Sequence, residues 1–134
     1  MAAQGLITIR SSYGPKHTMD RLEAEVEAKG MTVFARIDHA AGAAGVSLSL
    51  RPTEVLIFGN AKGGTPLMQS VQTIGIDLPL KALVWQDASG KTWLSYNDPV
   101  WLAERHGLGG ETAAAVGMMT SALQAVAKAA TAPG

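Results

Sequence analysis

Apolar runs of strand length alternate with amphipathic stretches of helical spacing along the 134-residue chain. Short runs rich in Val, Ile, Leu and aromatic residues, bounded by Gly or Ser, predict strands. Apolar residues recurring every three or four positions predict helices. The predicted strands cover 6–10, 31–37, 55–58, 80–86 and 92–96, and the predicted helices cover 15–29, 65–74, 98–105 and 111–130.

Local turn and cap signals support several of these boundaries. Gly30 stands where a left-handed residue would end the first helix, and Asp98 followed by Pro99 is typical of a helix start. The turn-rich segment 87–91 lies between the last two predicted strands and predicts a β-hairpin. The Ala- and Gly-rich connection 40–45 is compatible with a loop or with one helical turn, because glycines disfavour a long helix.

The most informative stretch is the glycine-containing segment 60–68, which directly follows the apolar strand 55–58. The order predicts a strand, a glycine loop and a helix capped by Thr65, with Pro66 at its first position. Free backbone N–H groups at such a junction bind anions, so a ligand is expected at Asn60, Lys62, Gly63, Gly64 and Thr65. A nucleotide-binding P-loop is excluded, because Thr65 and Pro66 stand where that loop requires Lys and Ser or Thr.

Composition narrows the class of protein. Apolar residues make up 47% and charged residues 16% of the chain, which indicates one globular domain over residues 1–134. Eleven basic residues balance eleven acidic ones without a basic cluster, so nucleic acid is not an expected partner. No cysteine is present, which excludes disulfides and thiolate chemistry. No secretory signal is visible at the N-terminus, so the cytoplasm is the expected location.

The C-terminal segment 111–130 carries a narrow apolar stripe. Its members, spaced three or four residues apart, are Val116, Met119, Leu123 and Val126. Such a stripe favours docking on the sheet of the same domain, while packing against a second subunit remains the alternative. Polar residues interrupt the segment, so a membrane span is not predicted.

Five short motifs together resemble the bacterial and archaeal family called domain of unknown function 302. They lie within residues 17–108 and comprise 17–22, 37–41, 58–60 with 64–68, 76–81 and 93–98. The family pattern usually has Pro after the Asn of the glycine loop, where this chain has Ala61. The resemblance implies an α+β fold, a two-layer sandwich of a largely antiparallel sheet with helices on one face, commonly as a homodimer. It implies no activity.

Candidate chemistry is sparse. His17, His39 and His106 are widely separated and lack the spacing of a metal motif, so neither a metal nor another cofactor is predicted. His39 follows Asp38 at a strand end, where a group titrating near neutral pH is useful. Trp85 and Trp93 are expected to pack across the hairpin. A second polar junction, Tyr96-Asn97-Asp98, closes the hairpin beside a helix start, and if it faces the glycine loop the two form one pocket.

These observations predict a homodimeric domain that binds a small polar or anionic ligand near the glycine loop. The ligand-binding set also includes His39, Asp77, Lys81 and Tyr96. An alternative is an enzyme in which His39, Asp77 or Lys81 performs acid–base chemistry. A third possibility is a structural or protein-interaction domain that works through its C-terminal helix.

Overall fold

The computed structural model describes residues 3–133, which form a five-stranded sheet with five α-helices. The strands are β1 (Leu6–Arg10), β2 (Thr32–Asp38), β3 (Thr53–Gly59), β4 (Leu80–Gln86) and β5 (Thr92–Asn97). The helices are α1 (Pro15–Ala28), α2 (His39–Gly45), α3 (Ala61–Ser70), α4 (Pro99–His106) and α5 (Ala113–Thr131). Two 3-10 helices cover Gln72–Asp77 and Gly110–Thr112.

The sheet is antiparallel throughout, in the order β1-β5-β4-β3-β2. Together with its helices it forms the α+β two-layer sandwich that the family resemblance implies, and this prediction is confirmed. The predicted hairpin is also confirmed, since β4 pairs with β5 around a turn that the Asp87 carboxylate organises. That carboxylate accepts hydrogen bonds from the backbone N–H groups of Ser89 and Lys91 at 2.9 and 3.0 Å.

Several predicted helix ends are found at the expected residues. Gly30 follows α1 with a φ of 79°, in the left-handed region that favours glycine. Asp98 caps α4 by accepting from the Val100 N–H at 3.0 Å, and Gly107 ends that helix with a φ of 65°. The Ala- and Gly-rich connection forms the short helix α2, whose residues are all at least partly exposed.

The core lies between one face of the sheet and the helices α1 and α5. Met19, Leu22 and Val26 of α1 are fully buried against the sheet and α5. The sheet and α5 contribute the largest remaining buried side chains, among them Leu56, Phe58, Val84, Leu94, Leu123 and Val126. A smaller cluster of Leu67, Ile74, Leu102 and Val116 fills the space around α3 and α4.

The apolar stripe of α5 therefore packs within its own domain, as the favoured interpretation of the sequence predicted. Leu123 and Val126 belong to the main core, Val116 belongs to the smaller cluster, and Met119 contacts both. Within the described part of the chain, no helix combines the length and apolarity needed to cross a membrane.

The segment predicted as a glycine loop is instead the first turn of α3. The Asn60 side-chain oxygen accepts from the Gly63 N–H at 2.6 Å, and its carbonyl accepts from the Gly64 N–H at 3.1 Å. Thr65 lies exposed within the helix, so the prediction that Thr65 is the cap and Pro66 the first residue is wrong. The physical reason is that Asn is at least as good a cap as Thr, and it stands directly after β3.

Candidate functional site

The face of the sheet opposite α1 and α5 displays the residues that alternate with the core. One row crosses all five strands on this open face and consists of Ile37, Val55, Leu83, Ser95 and Thr8. The first three side chains are apolar, while the hydroxyls of Ser95 and Thr8 are hydrogen-bonded to each other at 2.8 Å. This row is therefore apolar towards β2 and polar towards β1.

Two tryptophans close one end of this face. Trp85 and Trp93 oppose each other across β4 and β5, with ring centroids 6.2 Å apart and an interplanar angle of 27°, so their predicted packing is confirmed. The Trp93 Nε1–H donates to Asp87 at 2.8 Å, and this bond with others holds the pKa of Asp87 well below its usual range. The Trp85 Nε1–H donates to the Ser95 hydroxyl at 2.9 Å. The aromatic end is thus fixed by its own hydrogen bonds.

Beside the tryptophans the open face contains a shallow depression of about 320 Å³. Its apolar lining comes from Leu6, Val55 and Leu83, and its polar lining includes Lys81 and Asn97. His39, the first residue of α2, borders it. These residues converge because strands β1, β5, β4 and β3 are neighbours and the lining positions share one face.

Lys81 distinguishes this depression from the rest of the surface. It is half-buried, whereas every other lysine in residues 3–133 is exposed. Its ammonium group forms neither a hydrogen bond nor an ion pair with another described residue, and its cross-strand neighbour on β3 is the apolar Ile57. An ammonium group without a counter-ion in the folded chain is available to an anion from outside the protein.

The structure brings together only part of the predicted site. His39, Lys81 and Tyr96 line the depression, although Tyr96 is 5% exposed and belongs mainly to the core. Burial, followed by the charge of Asp98, raises the pKa of the Tyr96 hydroxyl. The predicted group Asn60, Lys62, Gly63, Gly64 and Thr65 lies at the start of α3 and does not line the depression. The lining of the depression thus joins Tyr96 to His39 and Lys81 and does not include the glycine segment.

Asp77 lies in a different cluster of polar side chains, at the end of the first 3-10 helix. Its carboxylate accepts from Arg105 Nη1 at 2.7 Å and lies 2.6 Å from His106 Nε2, and His106 Nδ1 lies 3.0 Å from the Thr73 hydroxyl. Burial opposes ionisation of Asp77, but the His106 hydrogen bond and the Arg105 charge hold its pKa below the usual value. The predicted acid–base trio of His39, Asp77 and Lys81 is thus split between two places.

The three histidines have separate environments. His17 packs against the Tyr13 ring with centroids 4.6 Å apart, His39 borders the depression, and His106 contacts Asp77. Within residues 3–133 no three His, Asp or Glu side chains are placed to hold a metal ion.

Sequence reasoning missed the apolar lining, whereas Asn97 belongs to the polar junction 96–98 that the sequence singled out. The signal is present in the period-two alternation of the strands, since Lys81 and Leu83 flank the core residue Ala82. Recognising that these residues meet in one depression requires the strand order. Leu6 lies on β1 and Val55 on β3, on either side of the β5–β4 pair.

The chain is similar in sequence to three curated proteins from Brucella. Three curated relatives, from Brucella suis, Brucella abortus and Brucella melitensis, carry the name "Fluoride-specific ion channel FluC" (1, 1 and 2, respectively) and are each 48% identical over 124 residues. The match covers 92% of this chain, which spans about half the length of those relatives, 49% of the first and 46% of the others.

A crystal structure of an uncharacterised conserved protein from Bacillus stearothermophilus has the same fold. It is 20% identical in sequence, with a TM-score of 0.83 and coverage of 96% of this chain and 99% of that one. A family model described as "Domain of unknown function DUF302" matches residues 7–126, which extends the expected family region at both ends. Because this match covers most of the chain, the protein belongs to the DUF302 family.

Proposed function

We propose that this protein binds a small anionic ligand in the depression on the open face of the sheet. The observation that carries the proposal is Lys81, the half-buried lysine that has no counter-ion among the described residues. This keeps the ligand class expected from the sequence and moves the site away from α3. The cytoplasm remains the expected location.

The chemistry of the depression suits one negative group. Lys81 supplies charge, Asn97 supplies an amide, and His39 lies at the border. An anion on Lys81 would accept a charge-assisted hydrogen bond, and the surrounding apolar side chains would strengthen that attraction. A charge-assisted hydrogen bond contributes about 1.5–3 kcal/mol, so a single anionic contact with a few apolar ones predicts a dissociation constant of about millimolar order.

The test is an amide chemical-shift titration of the isotope-labelled protein with acetate and with inorganic phosphate. Shifts are expected around Leu6, His39, Lys81, Leu83 and Asn97. Lys81→Met keeps the length and apolar stem of the side chain and should abolish saturable binding. Unchanged binding by this variant would refute the proposal.

Lys62→Met is the matched control, because Lys62 is an exposed lysine in the first turn of α3. It tests the site originally expected from the sequence against the depression. Loss of binding in Lys62→Met with retention in Lys81→Met, together with shifts within residues 59–68, would return the site to α3.

A second candidate function is supported by the curated relatives. The three relatives are named as fluoride-specific ion channels. About half of each relative matches this chain, and in this chain no described helix can span a membrane. We infer that the domain acts as an accessory to a fluoride channel and contacts it through the open face. The apolar row of Ile37, Val55 and Leu83 supports this role, because exposed apolar patches commonly mark protein contacts.

Co-elution tests the accessory function directly. This chain would be mixed with the part of the Brucella suis relative outside the match, purified in detergent micelles, and passed over a sizing column. Leu83→Asp should prevent co-elution, while Met118→Asp, on the exposed side of α5, should not. Absence of co-elution by the unmodified chain would reject this candidate and leave anion binding unaffected.

A further inference from the structure

The depression places the cation Lys81 beside an apolar floor formed by Leu83 and Val55. This combination indicates the kind of anion that fits. Resting on the proposed anion-binding function, we infer that the ligand class is a short-chain aliphatic monocarboxylate, with its carboxylate on Lys81 and its hydrocarbon tail over Leu83 and Val55. The inference depends on how the lining residues are placed along and across the strands.

The separation between charge and floor follows from strand geometry. Lys81 and Leu83 are two residues apart on β4, so their side chains leave the same face about 6.6 Å from each other. Val55 lies directly opposite Leu83 on β3 and continues the apolar surface away from Lys81. Carbon–carbon bonds of about 1.5 Å advance a zigzag chain about 1.3 Å per carbon, so about five carbons span this distance.

The polar groups in the depression do not suit a more highly charged ligand. The Ser95 hydroxyl is already engaged by Thr8 at 2.8 Å and by the Trp85 N–H at 2.9 Å. Lys81 is the only lysine or arginine among the described lining residues, and His39, which also lines the depression, is exposed to water. A phosphate or a dicarboxylate would place its additional charge without a partner against Leu83 and Val55, which is unfavourable.

A homologous series tests the class. The amide titration would compare acetate, butanoate, pentanoate and hexanoate at constant pH and ionic strength. Full burial of a methylene contributes about 0.8 kcal/mol, which converts to about fourfold in affinity. Because the depression is shallow, the expected gain is about twofold per methylene up to hexanoate, with little further gain for octanoate.

Variants separate the tail contact from the carboxylate contact. Leu83→Thr should flatten the dependence of affinity on chain length, because it removes apolar surface from the floor. Leu48→Thr is the matched control, since Leu48 is an exposed leucine that does not line the depression. Butylammonium, which has the tail but a positive head, should not bind.

The outcomes distinguish this inference from the function on which it rests. Equal affinities for acetate and hexanoate, both abolished in Lys81→Met, would overturn the monocarboxylate class and keep anion binding. Binding of all the carboxylates that is unaffected by Lys81→Met would overturn both. Binding of butylammonium as tight as that of pentanoate would show that only the tail is recognised and would also overturn the class.

Discussion

The N-terminus of α3 offers a direct test of the structure against the sequence pattern, because the two assign its cap to different residues. In the structure the Asn60 side-chain oxygen accepts the Gly63 N–H at 2.6 Å, and Thr65 is exposed inside the helix. We predict that Asn60→Ala destabilises the protein by about 1 kcal/mol, the usual value of a lost N-cap.

The contacts around this cap support that magnitude. The bond is exposed, so water replaces part of it when Asn60 is lost, which keeps the cost below that of a buried bond. A Cβ at Gly63 would lie 3.0 Å from the same Asn60 oxygen, which shows how closely the cap approaches the backbone. By contrast, Thr65→Ala replaces a weaker helix former with the strongest one, and should leave stability unchanged or raise it by a few tenths of a kcal/mol.

Urea denaturation followed by circular dichroism would measure both variants. With a slope of about 2 kcal/mol per molar, the loss of 1 kcal/mol moves the midpoint down by about 0.5 M. The melting temperature should fall by about 3–5 °C. If Thr65→Ala lowered the midpoint and Asn60→Ala did not, the helix would begin at Thr65 and the assignment of α3 would be refuted.

Two further predictions concern the ion cluster and the open face. The folded pKa of Asp77 is lowered, so its stabilisation is present above its unfolded pKa of about 4 and is lost as pH falls through the folded value. Asp77→Asn should therefore lower the free energy of unfolding by about 1–3 kcal/mol at pH 6. In urea titrations this difference from the wild type should shrink towards pH 3. A difference that stays constant with pH would contradict the role assigned to Asp77. We also predict a homodimer, with light scattering at micromolar concentration giving twice the 13.9 kDa of one chain. A concentration-independent monomer mass would reject the dimer.

The elements that depend on local signals were predictable from the sequence. The β4–β5 hairpin follows from a turn whose Asp87 carboxylate binds nearby backbone N–H groups. The start and end of α4 follow from Asp98 and Gly107, because capping needs only neighbouring residues. The docking of α5 followed from the spacing of its apolar stripe.

The start of α3 and the composition of the site were not predictable in the same way. At α3 two cap residues, Asn60 and Thr65, competed within six positions, and the presence of Pro66 favoured the wrong one. The depression depends on which strands are neighbours. That Leu6 of β1 and Val55 of β3 meet beside Lys81 follows from the strand order, which local patterns do not encode.

The partners of three acidic groups help to explain why Lys81 has no counter-ion among the described residues. The Glu54 carboxylate is held by Arg36 at 2.8 Å, Asp77 by Arg105 at 2.7 Å, and Asp87 by the Trp93 N–H and backbone groups. Each of these acids has partners elsewhere, and none lines the depression. A chain of zero formal net charge thus contains, among its described residues, a half-buried cation without a partner. Because a ligand that binds only the folded state stabilises it, butanoate should stabilise the protein against urea, and this stabilisation should disappear in Lys81→Met.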